Sequence, residues 1–435
     1  MQTVDTLVLA AHVIPVVPRG TLADHAVAID AGRIVAVLPA RDAEARYTAR
    51  RTVRLPRHAL IPGLVNLHCH CAMSLMRGLA DDLPLAQWLG EHIWPAEARH
   101  VNDEFVHDGS LLAMAEMLRG GVTCVSDMYF FPEATARAAL RAGMRAMLGV
   151  IAIEFPSAYA PDAPGYLARG LATRDAYLGE PLLTFCFAPH APYTVGDETL
   201  RRIAVLAEEL DVPIHTHVHE TRGEIDEGIA RHGVRPIERL RRLGIVGPRL
   251  IAAHAVHLDG AELDLLAREG VHVAHCPSSN LKLASGIAPV AAMRARGIGV
   301  GLGTDGAASN NRLDVMTEMR TAALLAKGAS GDPAVVDAHA ALEMATLAGA
   351  RALGLGAEIG SIEPGKSADL AAIDLASTET LPCFDPVSHL VYAAGREHVS
   401  HAWVAGELRL EERRLASLDE RDLHEKAVWW QSRIS

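Results

Sequence analysis

The middle of the chain alternates short apolar runs with longer stretches of helical period. Runs at residues 64–68, 124–128, 145–151, 182–188, 214–219, 250–254, 272–275 and 300–304 have strand length. Between them, segments such as 104–119, 134–142 and 200–210 repeat apolar positions every three or four residues, and many stop at a glycine or a polar turn. Eight strands alternating with helices predict the α/β class and a (β/α)8 TIM-like barrel over residues 60–362. An open doubly wound sheet is the structural alternative, but no Gly-x-Gly-x-x-Gly follows an early strand to support it.

The two ends share a different style. Short β-branched runs at 6–10, 26–29 and 33–37, with Asp30-Ala31-Gly32 turning the last pair, are matched late in the chain by 368–373 and 398–404. They predict a small β-sandwich domain assembled from both termini, residues 1–59 and 363–435, the second part also carrying a terminal helix.

Composition narrows the partners. Half the residues are hydrophobic but only 4% aromatic, so Ala, Val, Leu and Ile must build the core, as in closely packed α/β layers. A net charge of -12 without any block of like charge disfavours nucleic acid and anionic membrane and leaves small ligands. Six cysteines without a Cys-x-x-Cys pair read as reduced thiols. The apolar stretch near Met1 has no basic flank or cleavage pattern, and no run reaches the ~18 apolar residues of a membrane span. A soluble cytoplasmic protein is expected.

The candidate chemistry lies where the predicted strands end. His68 and His70 are two apart, so on a strand they share a face and can meet one ion. His217 and Glu220 close the fifth predicted strand, His254 the sixth, and Asp305 the eighth, in Gly303-Thr304-Asp305-Gly306. Imidazole nitrogen and carboxylate oxygen together suit a divalent ion of borderline softness. His68, His70, His217 and Asp305 make a shell for one such ion, zinc ahead of iron or manganese, with a position left for water. The competing reading is a barrel mouth of polar residues paired with one another.

Several motifs then carry a resemblance. Ile61-Pro62-Gly63-Leu64-Val65-Asn66-Leu67-His68-Cys69-His70, Ala188-Pro189-His190-Ala191-Pro192-Tyr193, Ser278-Ser279-Asn280-Leu281-Lys282-Leu283, Gly303-Thr304-Asp305-Gly306-Ala307-Ala308-Ser309-Asn310-Asn311 and Gly360-Ser361-Ile362-Glu363-Pro364-Gly365-Lys366 span nearly the whole chain. It resembles the amidohydrolase superfamily and, within it, the 5-methylthioadenosine/S-adenosylhomocysteine deaminases. Many superfamily members hold two metals bridged by a carboxylated lysine on the fourth strand. The lysines here, Lys282, Lys327, Lys366 and Lys426, all lie elsewhere, so a single-metal site is expected.

The resemblance implies hydrolytic removal of the purine amino group. Asp305 accepts a proton from the attacking water, His254 orients that water, and Glu220 protonates the adjacent ring nitrogen. It also implies that Trp88 lines the pocket, Glu97 grips the ribose hydroxyls, His190 contacts the nucleoside, and the enzyme is a homo-oligomer. From the residues alone, Trp88 reads equally as core packing and Glu97 as a solvated helix residue. Relatives that favour S-adenosylhomocysteine can carry an arginine after the third strand, where residues 154–161 here have none before Arg169, which leans the reading toward methylthioadenosine. Alternatives are a guanine, 8-oxoguanine or s-triazine hydrolase of the same branch, or a catalytically inactive amidohydrolase-like scaffold.

Overall fold

The computed structural model describes residues 1–434 and contains two eight-stranded sheets. Strands β1 (Gln2–Val13), β2 (Leu22–Asp30), β3 (Arg33–Pro39) and β4 (Tyr47–Pro62) precede the barrel strands β5 (Leu64–Cys69), β6 (Val122–Asp127), β7 (Arg145–Ala152) and β8 (Leu183–Pro189). The barrel continues with β9 (Ile214–Val218), β10 (Leu250–His254), β11 (His272–His275) and β12 (Gly299–Leu302). Strands β13 (Leu370–Asp374), β14 (Val399–Val404), β15 (Glu407–Glu411) and β16 (Arg414–Leu415) complete the count. A helix, Glu420–Ile434, ends the described chain.

β5 to β12 lie in sequence order and pair in parallel throughout, as expected for a strand–helix repeat. Closure between the last strand and the first comes from polar groups beyond the end of β12. The Asp305 N–H donates to the His68 carbonyl at 2.9 Å, the Thr304 N–H to Asn66 Oδ1 at 2.9 Å, and Asn66 Nδ2 to Thr304 Oγ1 at 2.7 Å. Gly303 permits this approach, because a Cβ there would lie 2.8 Å from the His68 backbone nitrogen. Val65, Leu67, Cys124, Met147, Cys186, Ile251, Ala253 and Ala274, from six different strands, form one buried cluster beneath the site.

The other sheet joins both termini in the order β16-β15-β14-β13-β4-β1-β2-β3. β4 is the seam, parallel to β1 on one side and antiparallel to β13 on the other. The β2–β3 corner also bonds to the segment before β13, Ile34 N–H to the Lys366 carbonyl at 2.9 Å, so the sheet curls over a shared core. Val27, Ile29 and Ile34 meet Leu370, Ala372 and Trp403 there. Sheet and barrel are tied by the buried Arg145, whose Nε donates to Asp369 Oδ2 at 3.1 Å and whose Nη2 donates to Oδ1 at 3.2 Å. The terminal helix packs Trp430 edge-on against Phe105 of the helix Asp103–Arg119. No helix among the described residues is long and apolar enough to cross a membrane.

Candidate active site

The C-terminal ends of the barrel strands, with the helical segments between β5 and β6, bring all nine sequence-predicted residues to one region. His70, Trp88, Glu97, His190, His217, Glu220, His254 and Asp305 line a single pocket, and His68 lies buried behind His70 and Asp305. The ends are conformationally strained: His219, His254, Ala255 and Asp305 all have positive φ, between 46° and 68°. Such backbone costs of order 1–3 kcal/mol per residue and persists only where surrounding bonds hold it.

Each imidazole is oriented by what its second nitrogen meets. His70 Nδ1 donates to the Met128 carbonyl and His217 Nδ1 to the His190 carbonyl, both at 2.6 Å. Their Nε2 atoms then face each other at 3.3 Å, and Asp305 Oδ1 lies 3.3 Å from His70 Nε2 and 3.5 Å from His68 Nε2. His68 Nδ1 bonds to His215 Nε2 at 3.0 Å, leaving His68 Nε2 buried without a hydrogen-bond partner. Donor atoms of His68, His70 and Asp305 form one group within 4.8 Å, and those of His68, His217 and His254 form a second. Lone-pair nitrogens facing each other at this separation repel unless a positive centre lies among them. This donor set, with its orphaned His68 nitrogen, fits a divalent cation.

The electrostatics agree. Burial opposes charge on His70, but Asp305 beside it outweighs burial and lifts the imidazole to about 9. Burial holds His68 at about 4, and Asp305 stays well below the carboxylate range because the two histidines override its own burial. A proton on His70 thus does part of a cation's work. Burial likewise keeps His190 neutral, at about 3.

Glu220 is buried, and burial raises its carboxyl above the ordinary value against the opposing pull of His254, whose Nε2 is 3.8 Å from Glu220 Oε2. The Glu224 carboxylate accepts the backbone N–H groups of His219 at 2.8 Å and Glu220 at 2.9 Å, which fixes the turn carrying Glu220. Trp88 is buried in a short π-helical turn, Trp88–Ile93, a feature common at functional sites. Glu97, on the helix that follows, is neither core nor free in solvent: its Oε1 accepts the Tyr129 hydroxyl at 2.6 Å in the pocket wall.

Several contributing residues escape sequence reasoning. Ser279 and Ser309 donate to Asp305 Oδ2 at 2.7 and 2.8 Å, so the second carboxylate oxygen is already engaged. Asn280 Oδ1 accepts from His254 Nδ1 at 2.8 Å. Tyr129 gives no pattern in the sequence, whereas the alternation His215, His217, His219 could have revealed His215 by the same two-residue rule as His68 and His70. Arg169 does not line the pocket. It lies over the Tyr159 ring, 4.2 Å from the centroid, and pairs with Glu133 at 3.4 Å.

The Amidohydrolase family pattern matches residues 59–409. A 5-methylthioadenosine/S-adenosylhomocysteine deaminase of Teredinibacter turnerae is 47% identical over 99% of this chain and 98% of its own. A protein of the same name from Saccharophagus degradans is 46% identical over 99% and 97%. The crystal structure of an adenosine deaminase from Xanthomonas campestris with bound zinc superposes with a TM-score of 0.98 at 49% identity, covering 100% of this chain and 99% of that one. The atrazine chlorohydrolase of Arthrobacter aurescens, complexed with zinc, gives 0.90 at 25% identity over 98% and 100%. The match runs through the whole barrel and the strand ends that gather the histidines and Asp305, and the chain belongs to the amidohydrolase family.

Proposed function

We propose that this chain is a metal-dependent hydrolytic deaminase of adenine nucleosides, acting on 5-methylthioadenosine and/or S-adenosylhomocysteine and releasing ammonia with the inosine analogue. The observation that carries the reading is one pocket walled by both the His-Asp cluster and Glu97, a carboxylate suited to vicinal ribose hydroxyls. The near-full-length relatives at 46–47% identity bear the same activity in their names.

His68, His70, His217 and Asp305 hold one divalent ion, with zinc the choice because the solved adenosine deaminase and atrazine chlorohydrolase carry it. Bound there, a divalent ion supplies the Lewis acidity that makes water a nucleophile near neutral pH. Trp88 packs on the nucleoside, His190 contacts it, and Glu97 accepts from the ribose. Glu220, whose carboxyl burial raises above its ordinary value, donates to the ring nitrogen beside the amino-bearing carbon as the water oxygen bonds to that carbon. Asp305 takes the proton that the water loses, while Ser279 and Ser309 steady its carboxylate. His254, with Nδ1 committed to Asn280, presents Nε2 to the water. The proton on Asp305 passes to the amino group, the C–N bond breaks as the hydroxyl on that carbon becomes the carbonyl, ammonia leaves, and the hydroxyl proton is passed back to restore the Glu220 carboxyl.

The test is an ultraviolet absorbance screen of zinc-loaded enzyme against methylthioadenosine, S-adenosylhomocysteine, adenosine and guanine, with ammonia measured in parallel. Conversion of adenine to hypoxanthine rings is expected. Turnover of guanine alone, or of no purine, overturns the reading.

A further inference from the structure

For His68, His70, His217 or His254 to turn one ring nitrogen toward the centre of the site, the other must be occupied, and three of the four use an oxygen for this. His70 and His217 donate to the carbonyls of Met128 and His190, and His254 donates to Asn280 Oδ1. Such an oxygen only accepts, so it fixes the imidazole tautomer outright. His68 is the exception. Its Nδ1 lies 3.0 Å from Nε2 of His215, whose own Nδ1 lies 3.1 Å from the Ser126 hydroxyl. The three side chains come from β5, β9 and β6 and are fully buried. The two imidazoles meet edge to face, with centroids 4.9 Å apart and planes 76° apart, so the bond to His215 sets the plane of the His68 ring as well as its proton.

A ring nitrogen donates or accepts according to tautomer, so this line of three groups has two self-consistent proton arrangements. In one, the Ser126 hydroxyl donates to His215 Nδ1 and His215 Nε2–H donates to His68 Nδ1, which leaves the His68 proton on Nε2 and closes that atom to a metal. In the other, His68 Nδ1–H donates to His215 Nε2 and His215 Nδ1–H donates to the Ser126 oxygen, which leaves His68 Nε2 a free lone pair on the side of Asp305. The structure matches the second: His68 Nε2 is buried without a hydrogen-bond partner, 3.5 Å from Asp305 Oδ1. Apolar side chains would fill the positions of His215 and Ser126 with less desolvation, so packing does not account for the polar pair. We infer that His215 is a positioning residue for the metal site, accepting from His68 Nδ1 and so holding the tautomer and ring plane that open Nε2 to a divalent ion, with Ser126 keeping the His215 proton on the far nitrogen. This role rests on the reading of one divalent ion held in part by His68.

Zinc affinity is measured by chelator competition at fixed pH on the full chain, as wild type, His215→Leu, His215→Gln and Ser126→Ala, with thermal melts of the zinc-free proteins alongside. His215→Leu removes the acceptor, and zinc binding is expected to weaken about 10- to 100-fold, the usual range when the group orienting a ligating histidine is lost. His215→Gln puts an amide oxygen near the position of Nε2 and is expected to retain most of the affinity, while the zinc-free melting temperatures do not follow the same order. Ser126→Ala keeps the acceptor but frees its tautomer, and falls between them. Equal affinity in wild type and His215→Leu, equal loss in the Leu and Gln variants, or a loss that only tracks the zinc-free melting temperature overturns the inference. If His215→Leu does not fold, Ser126→Ala decides: weaker binding supports the role and unchanged binding overturns it. A wild type that takes up no stoichiometric zinc instead removes the single-ion reading beneath it, whereas tight zinc binding indifferent to these changes removes only the part given to His215.

Discussion

At the scale of single residues, the pocket sorts its carboxyl groups by environment. Asp305 is ionised by two imidazoles, Glu220 is pushed toward its neutral form by burial, and Glu97 is raised to about 7 by burial against the hydrogen bond from Tyr129. Such separation supports the proposed division of base and acid roles among different groups. Glu220→Gln, which keeps the shape and removes the transferable proton, is expected to lower kcat by about 10²–10⁴-fold with zinc content unchanged. For Glu97 the sign follows from the proposed ribose contact: only the ionised form accepts hydrogen bonds from both hydroxyls. The KM for nucleosides is therefore expected to fall as pH rises through about 7 and then level off, and Glu97→Gln to abolish that pH dependence in steady-state measurements.

At the scale of elements, strand periodicity was informative because each barrel strand is an apolar run bounded by turns, and all eight lie within a residue or two of the expected spans. β4 was not legible. Its sixteen residues include Arg50, Arg51, Arg54, Pro56 and Arg57, which mask the buried Val53 and Leu55, and its identity as a strand depends on β1 and β13 flanking it. The joint between the first and last barrel strands is similarly tertiary. Asn66 and Thr304 stand far apart in sequence, yet their side chains set the register in which His68 and Asp305 meet. Asn66→Ala leaves the buried Thr304 N–H without its acceptor, a cost of about 1–3 kcal/mol. Chemical denaturation should show that loss, and zinc titration should show weaker binding because two ligand-bearing strands lose their shared register.

At the scale of the whole molecule, the site is a gathering of like groups that the fold must hold together. Imidazoles crowded around Asp305, with one nitrogen orphaned, would make a bound ion a source of stability as well as of chemistry. Zinc is expected to raise Tm by several degrees, and chelation to reverse it, in thermal melts. Binding requires unprotonated imidazoles, and His70 without an ion titrates at about 9. Protons therefore compete more strongly as pH falls, and the zinc-dependent gain in Tm should shrink steadily from pH 8 toward pH 5.

The chain's alternation of apolar runs with helical segments determined the barrel, since local periodicity and the short range of strand–helix–strand connection leave few other ways to bury those faces. The same rules put ligand-type residues at strand ends, so the candidate His-Asp cluster could be proposed before its geometry was seen. What only the tertiary structure decided is how each group is tuned: the Tyr129 bond to Glu97, the serines on Asp305, the Asn280 hold on His254, and the placement of Arg169 on Tyr159 outside the pocket. Hydrogen bonds and charge contacts between residues distant in sequence leave no periodic trace along the chain, because they depend on distances that exist only after the strands have closed.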